Sequence, residues 1–318
     1  MTRDRWTLLG VIAAVVLLAL LPQLSRSNYI IGIAISGLIF LAAAAALNLV
    51  YGYAGLLSFA QLGFWGVGGY CSAIAVMDFH RSFWEGVLFA GLVNLVLSLA
   101  IGFAIIRTTR HAFVVATLTF ALLAGLIARD WIGVTRGPLG IPGLPPPTMF
   151  GFAFDSSARF YYIALAFMLV ALGFLYGLMS SRIGLVLKAI SQNDPLVESQ
   201  GISPTPYKLA AFVIAAVITG MAGGIYAFHL KIIDPSFLDF YYMQTFLIIV
   251  IIGGAGSFWA VVLAGAAMVA LPEALRFSNE LRMVIYGVVL VTVMMLMPQG
   301  IAGWLEARRV ALMRKALR

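Results

Sequence analysis

The residues that could carry chemistry in this chain are few, and their spacing excludes most catalytic mechanisms. The histidines His80, His111 and His229 are scattered, and no HExxH, CxxC or other metal-spaced cluster occurs. The closest stretch to a phosphate loop, at residues 253–257, reads Gly-Gly-Ala-Gly-Ser and lacks the lysine that would reach a nucleotide phosphate. A nucleophile elbow is absent as well. We therefore expect no metal site, no cofactor and no enzymatic activity in this polypeptide.

The carboxylates are placed in a way that argues against ion coupling. Ion-driven carriers usually hold a carboxylate deep within a spanning segment, although this costs about 3 kcal/mol. Here the acidic residues that flank apolar segments fall at or near the predicted segment ends: Asp78, Glu85, Asp130, Asp234, Asp239, Glu273 and Glu280. The energy for transport is therefore expected to enter from another polypeptide.

These residues must be held by larger structural elements. The composition indicates that those elements are membrane-spanning helices. Of the 318 residues, 63% are hydrophobic and only 10% are charged, whereas a soluble domain carries about 25% charged residues. Ten apolar segments approach the length of a span: 6–21, 29–50, 54–77, 84–106, 112–131, 159–180, 209–230, 241–253, 258–275 and 282–298. We expect an all-α, polytopic transmembrane helical bundle of about 8–10 spans, forming a single domain over residues 1–318.

The basic residues predict the orientation and the surface that the protein meets. The net charge is +8, but Lys and Arg lie between apolar segments and in a basic tail at 306–318. This indicates anionic membrane lipid rather than nucleic acid. The N-terminus resembles a signal peptide, with Arg3 and Arg5 before an apolar run, yet no cleavage site follows. We expect a retained first helix and cytoplasmic N- and C-termini.

Two connections are long and differ in character. Residues 132–158 are rich in Gly and Pro and predict a stiff, irregular external loop. Residues 182–208 form a cytoplasmic connection that is expected to be structured. Its first part predicts a short amphipathic helix from Arg182 to Ser191, with one apolar stripe made of Ile183, Val186, Leu187 and Ile190.

Helix-capping signals follow within the same connection. Asp194 precedes a proline and is predicted to be the N-cap of a second short helix. Gly201 is predicted to end that helix with a positive φ. Thr205-Pro206 is expected to begin the next spanning helix.

Two Gly-rich apolar segments predict interrupted helices. Non-helical backbone at membrane depth is tolerated where it is buried in protein or lines a cavity, and interrupted segments often mark a transport pathway. Close helix packing through small residues is the alternative explanation. The candidate pathway residues are Asn48, Gly55, Ser58, Gln61, Gly253, Gly254 and Gly256.

Four blocks in this order resemble a known family. They are residues 47–58 with 66–70, residues 117–120 with 135–141, residues 184–212, and residues 220–226 with 234–235 and 253–257. The resemblance spans roughly residues 35–305, which is most of the chain. The chain resembles the permease subunits of branched-chain amino acid ABC importers, of the LivM type.

This resemblance implies half of a translocation pathway in the bacterial cytoplasmic (inner) membrane. The expected partners are a second permease subunit of the LivH type, two cytoplasmic ATPase subunits and an external solute-binding protein. It further implies that residues 182–208 couple to the ATPases, through Arg182, Gly184, Lys188, Ala189, Ile190, Asp194, Glu198, Gly201 and Lys208. A stand-alone secondary carrier or channel for a small solute remains the alternative, and ATPase co-purification separates the two hypotheses.

Overall fold

The computed structural model describes residues 15–23, 27–149, 152–274, 300 and 302–303. Residues 15–23 are helical. The longer elements that follow are the helices α1 (Asn28–Asn48), α2 (Ala60–Met77), α3 (Phe83–Ile105), α4 (Arg110–Asp130), α5 (Ile132–Thr135), α6 (Ser157–Ser180), α7 (Arg182–Gln192), α8 (Asp194–Ser199), α9 (Pro204–Leu230), α10 (Phe240–Gly253) and α11 (Phe258–Ala274).

The helices confirm an all-α, polytopic membrane architecture. Within the described ranges, α1 with the turn that follows it, α3, α4, α6 and α9 are long and apolar enough to cross a membrane. Helix α2 has 18 residues, and α10 is a shorter apolar helix. The predicted first segment, 6–21, falls partly outside the described residues. The predicted last span, 282–298, and the tail at 306–318 fall wholly outside them.

Helix α1 does not continue directly into the next span. It ends in a π-helical turn, Leu49–Tyr53, and the chain is then non-helical until Ala60. The prediction of a helix from residue 54 is therefore wrong by about one and a half turns. The physical reason is Gly55, whose φ of +70° is incompatible with a right-handed helix. The predicted interruption itself is confirmed.

Helices α1 and α9 form the centre of the bundle. Helix α9 packs against α1, α2 and α3, whereas α1 also packs against α6, α10 and α11. The α2–α9 contact is made by backbone: a Cβ on Gly68 would collide with the Gly220 carbonyl, and one on Gly223 would collide with the Trp65 carbonyl. Small residues therefore set the separation of these two helices.

Successive spans alternate in direction, so the connections gather at two ends of the bundle. One end holds α7 and α8 with the starts of α4 and α9. At the other end, short strands β1 (Ile141–Pro142) and β4 (Ile232–Ile233) pair antiparallel, and β2 (Thr148–Met149) pairs with β3 (Phe152–Ala153). An exposed ion pair, Arg136–Asp78 at 2.9 Å, lies at this second end.

Candidate translocation and coupling site

The two Gly-rich interruptions meet each other in the folded chain. Asn48, the last residue of α1, accepts a hydrogen bond at Oδ1 from the backbone N–H of Gly256, at 2.9 Å. Gly256 lies in the turn between α10 and α11. A Cβ on Gly52 would collide with Asn48 Oδ1 and with the Gly256 nitrogen. The two breaks therefore form one closely packed junction of backbone. The buried side-chain amide of Asn48 makes the hydrogen bond across it.

The first interruption also contacts the connection formed by residues 182–208. Gly55 lies directly against the end of α7, where a Cβ on Gly55 would come within 2.9 Å of Ser191 Cα. One turn earlier, Lys188 Nζ lies 5.1 Å from the centre of the Tyr53 ring, which is a cation–π distance. The non-helical stretch of the membrane domain and the first short helix of the connection are therefore in direct contact.

A cavity of about 730 Å³ opens between these elements. Its walls include the π turn at Tyr51–Tyr53, the end of α6, the α7 residues Lys188 and Ser191, and the turn at 254–257. Lys188 is the only charged side chain among its described lining residues. A cavity of this size can hold a small solute with water, and its aromatic walls and single cation suit a partly apolar, partly anionic molecule.

The polar pathway candidates are fully buried in this conformation. Asn48, Ser58 and Gln61 have no exposed surface. Ser58 Oγ accepts the backbone N–H of Ala60, at 3.3 Å. Neither amide atom of Gln61 has a hydrogen-bond partner within the described part of the chain, which is costly for a buried polar group.

The predicted pathway residues therefore separate into two groups. The first group lies in the two interruptions, at their junction or at the edge of the cavity: Asn48, Gly55, Gly254 and Gly256. Gly253 is packed against the backbone of α11, and Ser58 and Gln61 do not line the described cavity.

Residues 182–208 form the two short helices that the sequence predicts. Helix α7 is capped by Ser181, whose Oγ accepts the Ile183 N–H at 3.2 Å. The N-cap of α8 is Asn193, whose Oδ1 accepts the Leu196 N–H at 3.2 Å, so the prediction of Asp194 as the N-cap is wrong by one residue. Gly201 has φ +80°, as predicted.

The start of the following helix lies two residues before its predicted position. Helix α9 begins at Pro204, after the N-cap Ser203, rather than at Thr205-Pro206. Proline at the first helical position suits this start, because its nitrogen has no hydrogen to leave unpaired.

The apolar stripe of α7 differs from the prediction. Gly184, Leu187 and Ile190 are buried, and the backbone carbonyl of Met179 lies where a Cβ on Gly184 would be. Ile183, expected on the buried stripe, is 42% exposed, because the close contact at Gly184 turns the helix about its axis. Leu185 is 67% exposed.

The predicted coupling residues occupy different faces of this connection. Arg182, Lys188, Ala189 and Glu198 are exposed. Asp194 is not a cap but a partner for Lys208: its Oδ2 lies 2.6 Å from Lys208 Nζ and 4.0 Å from an Arg110 guanidinium nitrogen.

Sequence reasoning missed three residues at this site. Arg110 contacts Asp194 and Tyr53 contacts Lys188, whereas Ser191 contacts the pathway candidate Gly55. All three contacts arise only from the tertiary fold. Their partners are far away in sequence, so no spacing pattern could have shown these contacts. Among the described residues there is no group of three His, Cys, Asp or Glu that could hold a metal ion.

The bundle of long apolar helices, with two interruptions meeting beside a polar cavity, defines a polytopic membrane protein of the transporter class. A profile of the family described as "branched-chain amino acid transport system / permease component" matches residues 29–294. The chain belongs to this family.

Individual relatives agree with the family match. The chain is 30% identical to the high-affinity branched-chain amino acid transport system permease protein LivM of Salmonella typhimurium, over 85% of this chain and 69% of that protein. It is 28% identical to the Escherichia coli K12 LivM protein, over 91% of this chain and 74% of that protein. The LivH permease of Salmonella typhimurium is 23% identical, over 83% of this chain and 91% of that protein. No solved structure matches.

Proposed function

We propose that this chain is the LivM-type transmembrane subunit of an ATP-binding-cassette importer in the bacterial inner membrane. Its substrates are branched-chain amino acids or related small solutes: other amino acids, urea, short amides or aromatic acids. In this assembly it pairs with a LivH-type permease, two cytoplasmic ATPase subunits and an external solute-binding protein. ATP is hydrolysed on the ATPase subunits, since residues 1–318 act as a single permease domain without a nucleotide site.

The observation that carries this proposal is the exposed apolar surface of residues 182–208. Leu185 is 67% exposed and Leu196 is 60% exposed, although both lie on short helices outside the spans. A partner protein that covers these leucines would remove their apolar surface from water, which favours association. A short helix seated in a partner's groove is a common recognition mode. The partner that fits this position is the ATPase.

The proposed orientation places both termini and residues 182–208 in the cytoplasm. It is supported by the distribution of Lys and Arg along the sequence, since this orientation assigns 12 of the 20 to the cytoplasmic side, and cytoplasmic connections carry an excess of Lys and Arg. The residues at 132–158 then face the solute-binding protein. The junction of the two interruptions, with its cavity, forms this subunit's half of the translocation pathway.

The test is co-purification of the ATPases with an affinity-tagged chain, co-expressed with the second permease and the two ATPase subunits. Leu185→Ser should lower the retained ATPase about tenfold, because burying one leucine contributes about 1.5–3 kcal/mol. The matched control is Leu139→Ser, a leucine that is 84% exposed at the opposite end of the bundle. Equal ATPase retention by both variants would contradict the assigned docking surface.

The same preparation separates the importer from the stand-alone carrier. Wild-type chain that never retains a nucleotide-binding subunit, yet supports uptake in vesicles without ATP, would establish the carrier. Uptake that requires ATP, the ATPases and the binding protein is the result expected here.

A further inference from the structure

The bend between α7 and α8, residues 191–194, contacts three separate parts of the membrane domain. Ser191 lies against Gly55, in the interruption after α1. The Ser191 carbonyl accepts a hydrogen bond from the Arg110 guanidinium at the start of α4, at 3.5 Å. Asp194 pairs with Lys208, in the first turns of α9. This bend is therefore a physical connection between the short cytoplasmic helices and the spans.

The Asp194–Lys208 pair is the strongest of these contacts. The two charged atoms are 2.6 Å apart, and the Lys208 side chain is only 11% exposed. A buried ammonium group without a partner is heavily penalised, so the structure is stabilised when the Asp194 carboxylate stays beside Lys208. The Arg110 guanidinium, 4.0 Å from the same carboxylate oxygen, adds a second and more exposed positive charge. The pair fixes the start of α8 to α9.

Helix α9 connects this ion pair to the centre of the bundle. It packs against α1, α2 and α3, and its contact with α2 is backbone against backbone at Gly68 and Gly220. Tightly packed helices move as rigid bodies, because their cores do not deform continuously. A displacement of α8 is therefore passed to α9 through the Asp194–Lys208 pair, beside the short link at residues 200–203.

We propose that Asp194 is a positioning residue for energy coupling: its carboxylate joins the ATPase-facing helices to α9 and α4, so that movement of α7 and α8 moves the spans. This inference rests on the proposed function, because it requires an ATPase that pushes on residues 182–208. The ion pair does not contact the solute or the nucleotide. Its loss leaves ATP hydrolysis running while transport stops.

The experiment uses the complete complex, with both permeases, the ATPases and the binding protein, in proteoliposomes. The measured quantity is the amount of radiolabelled L-leucine taken up per ATP hydrolysed. Asp194→Asn keeps the shape of the side chain and removes its charge. It should retain the ATPases and hydrolyse ATP, while uptake per ATP falls about tenfold, the usual scale of coupling between linked sites.

Two further variants distinguish coupling from a structural role. Asp194→Glu keeps the carboxylate and should keep at least about half of the wild-type uptake per ATP. The reversed pair, Asp194→Lys with Lys208→Asp, should recover uptake that Asp194→Lys alone lacks, since double-variant rescue isolates the pairwise interaction. Asp78→Asn removes an ion pair of similar geometry at the opposite end and should leave uptake per ATP unchanged.

The inference is overturned if Asp194→Asn keeps the wild-type uptake per ATP, or if Asp194→Glu loses as much as Asp194→Asn. The same holds if the reversed pair folds and assembles but recovers nothing. Failure of the proposed function looks different, because the wild-type chain would then neither retain the ATPases nor require ATP for uptake.

Discussion

The α2–α9 contact and the connection at residues 182–208 both need a glycine, but Gly68 and Gly201 are needed for different physical reasons. A Cβ on Gly68 would collide with the backbone of Gly220, so only glycine fits the space at this position. A Cβ on Gly201 would meet nothing within 4 Å, but its φ is +80°. Glycine is needed there because it adopts a positive φ without strain.

This difference shows where each region can change without losing its structure. The α2–α9 contact is a packed interior in which added volume must displace backbone, so its variants should fail in folding. Gly201 has open space around it, so its variants should fold and fail in coupling. Folding defects and coupling defects are therefore expected to separate along this boundary.

The largest effect is expected for Gly68→Val. The added side chain must push α2 away from the Gly220 carbonyl, and overpacking of this kind costs about 3 kcal/mol or more. We expect a large loss of folded chain, measured by fluorescence-detected size-exclusion chromatography in detergent.

The control for this variant is Gly173→Val, in the middle of α6. A Cβ at that glycine meets nothing within 4 Å, so the same replacement should leave a normal elution profile of the isolated chain. If both variants lose folded chain equally, the α2–α9 contact is not the tight contact described here.

A smaller effect is expected for Asn48→Ala at the junction of the two interruptions. The half-buried Gly256 N–H would lose the Oδ1 acceptor that it holds at 2.9 Å, and a lost hydrogen bond of this kind costs about 0.5–1.5 kcal/mol. The apparent melting temperature of the purified chain should fall. Asn94→Ala should lower it less, because the Asn94 amide donates only to the Ala90 carbonyl of its own helix. An equal or larger fall for Asn94→Ala would count against the junction.

Features that depend on local sequence could be predicted well. The apolar runs gave the spans because length and hydropathy decide them. Gly201 could be recognised because a glycine after a short capped helix is the usual way to accommodate a positive φ. The two interruptions followed from clustered glycines in apolar sequence. None of these inferences requires knowledge of a distant contact.

Features that depend on tertiary contacts could not be predicted. Asp194 has the sequence signature of an N-cap, but Asn193 takes that role and leaves the carboxylate to Lys208. Ile183 fits an apolar stripe, but the contact of Gly184 with Met179 turns it outward. The hydrogen bond from Gly256 to Asn48 joins residues 208 positions apart, and no local pattern reports such a pair.

The smallest effect on stability, and the sharpest test of the comparison, is expected for Gly201→Val. Nothing obstructs the new side chain, so the only cost is the left-handed backbone, about 1–2 kcal/mol for a residue with a Cβ. A six-residue helix, α8, has few contacts with which to resist that strain. The strain should therefore change the local conformation of residues 194–201 and leave the spans folded. We expect normal membrane insertion and a normal melting temperature, with ATP-driven uptake lost.

The matched variant at the same position is Gly201→Asn. Asparagine adds a side chain of comparable size but adopts positive φ far more readily than a β-branched residue. If backbone conformation is what Gly201 supplies, Gly201→Asn keeps most of the uptake while Gly201→Val loses it. If both variants lose uptake equally, the space around Gly201 is occupied in the assembled importer. Gly201 would then be a contact residue, required because a side chain has no space there, as at Gly68. Full uptake by Gly201→Val would remove this residue from the coupling site.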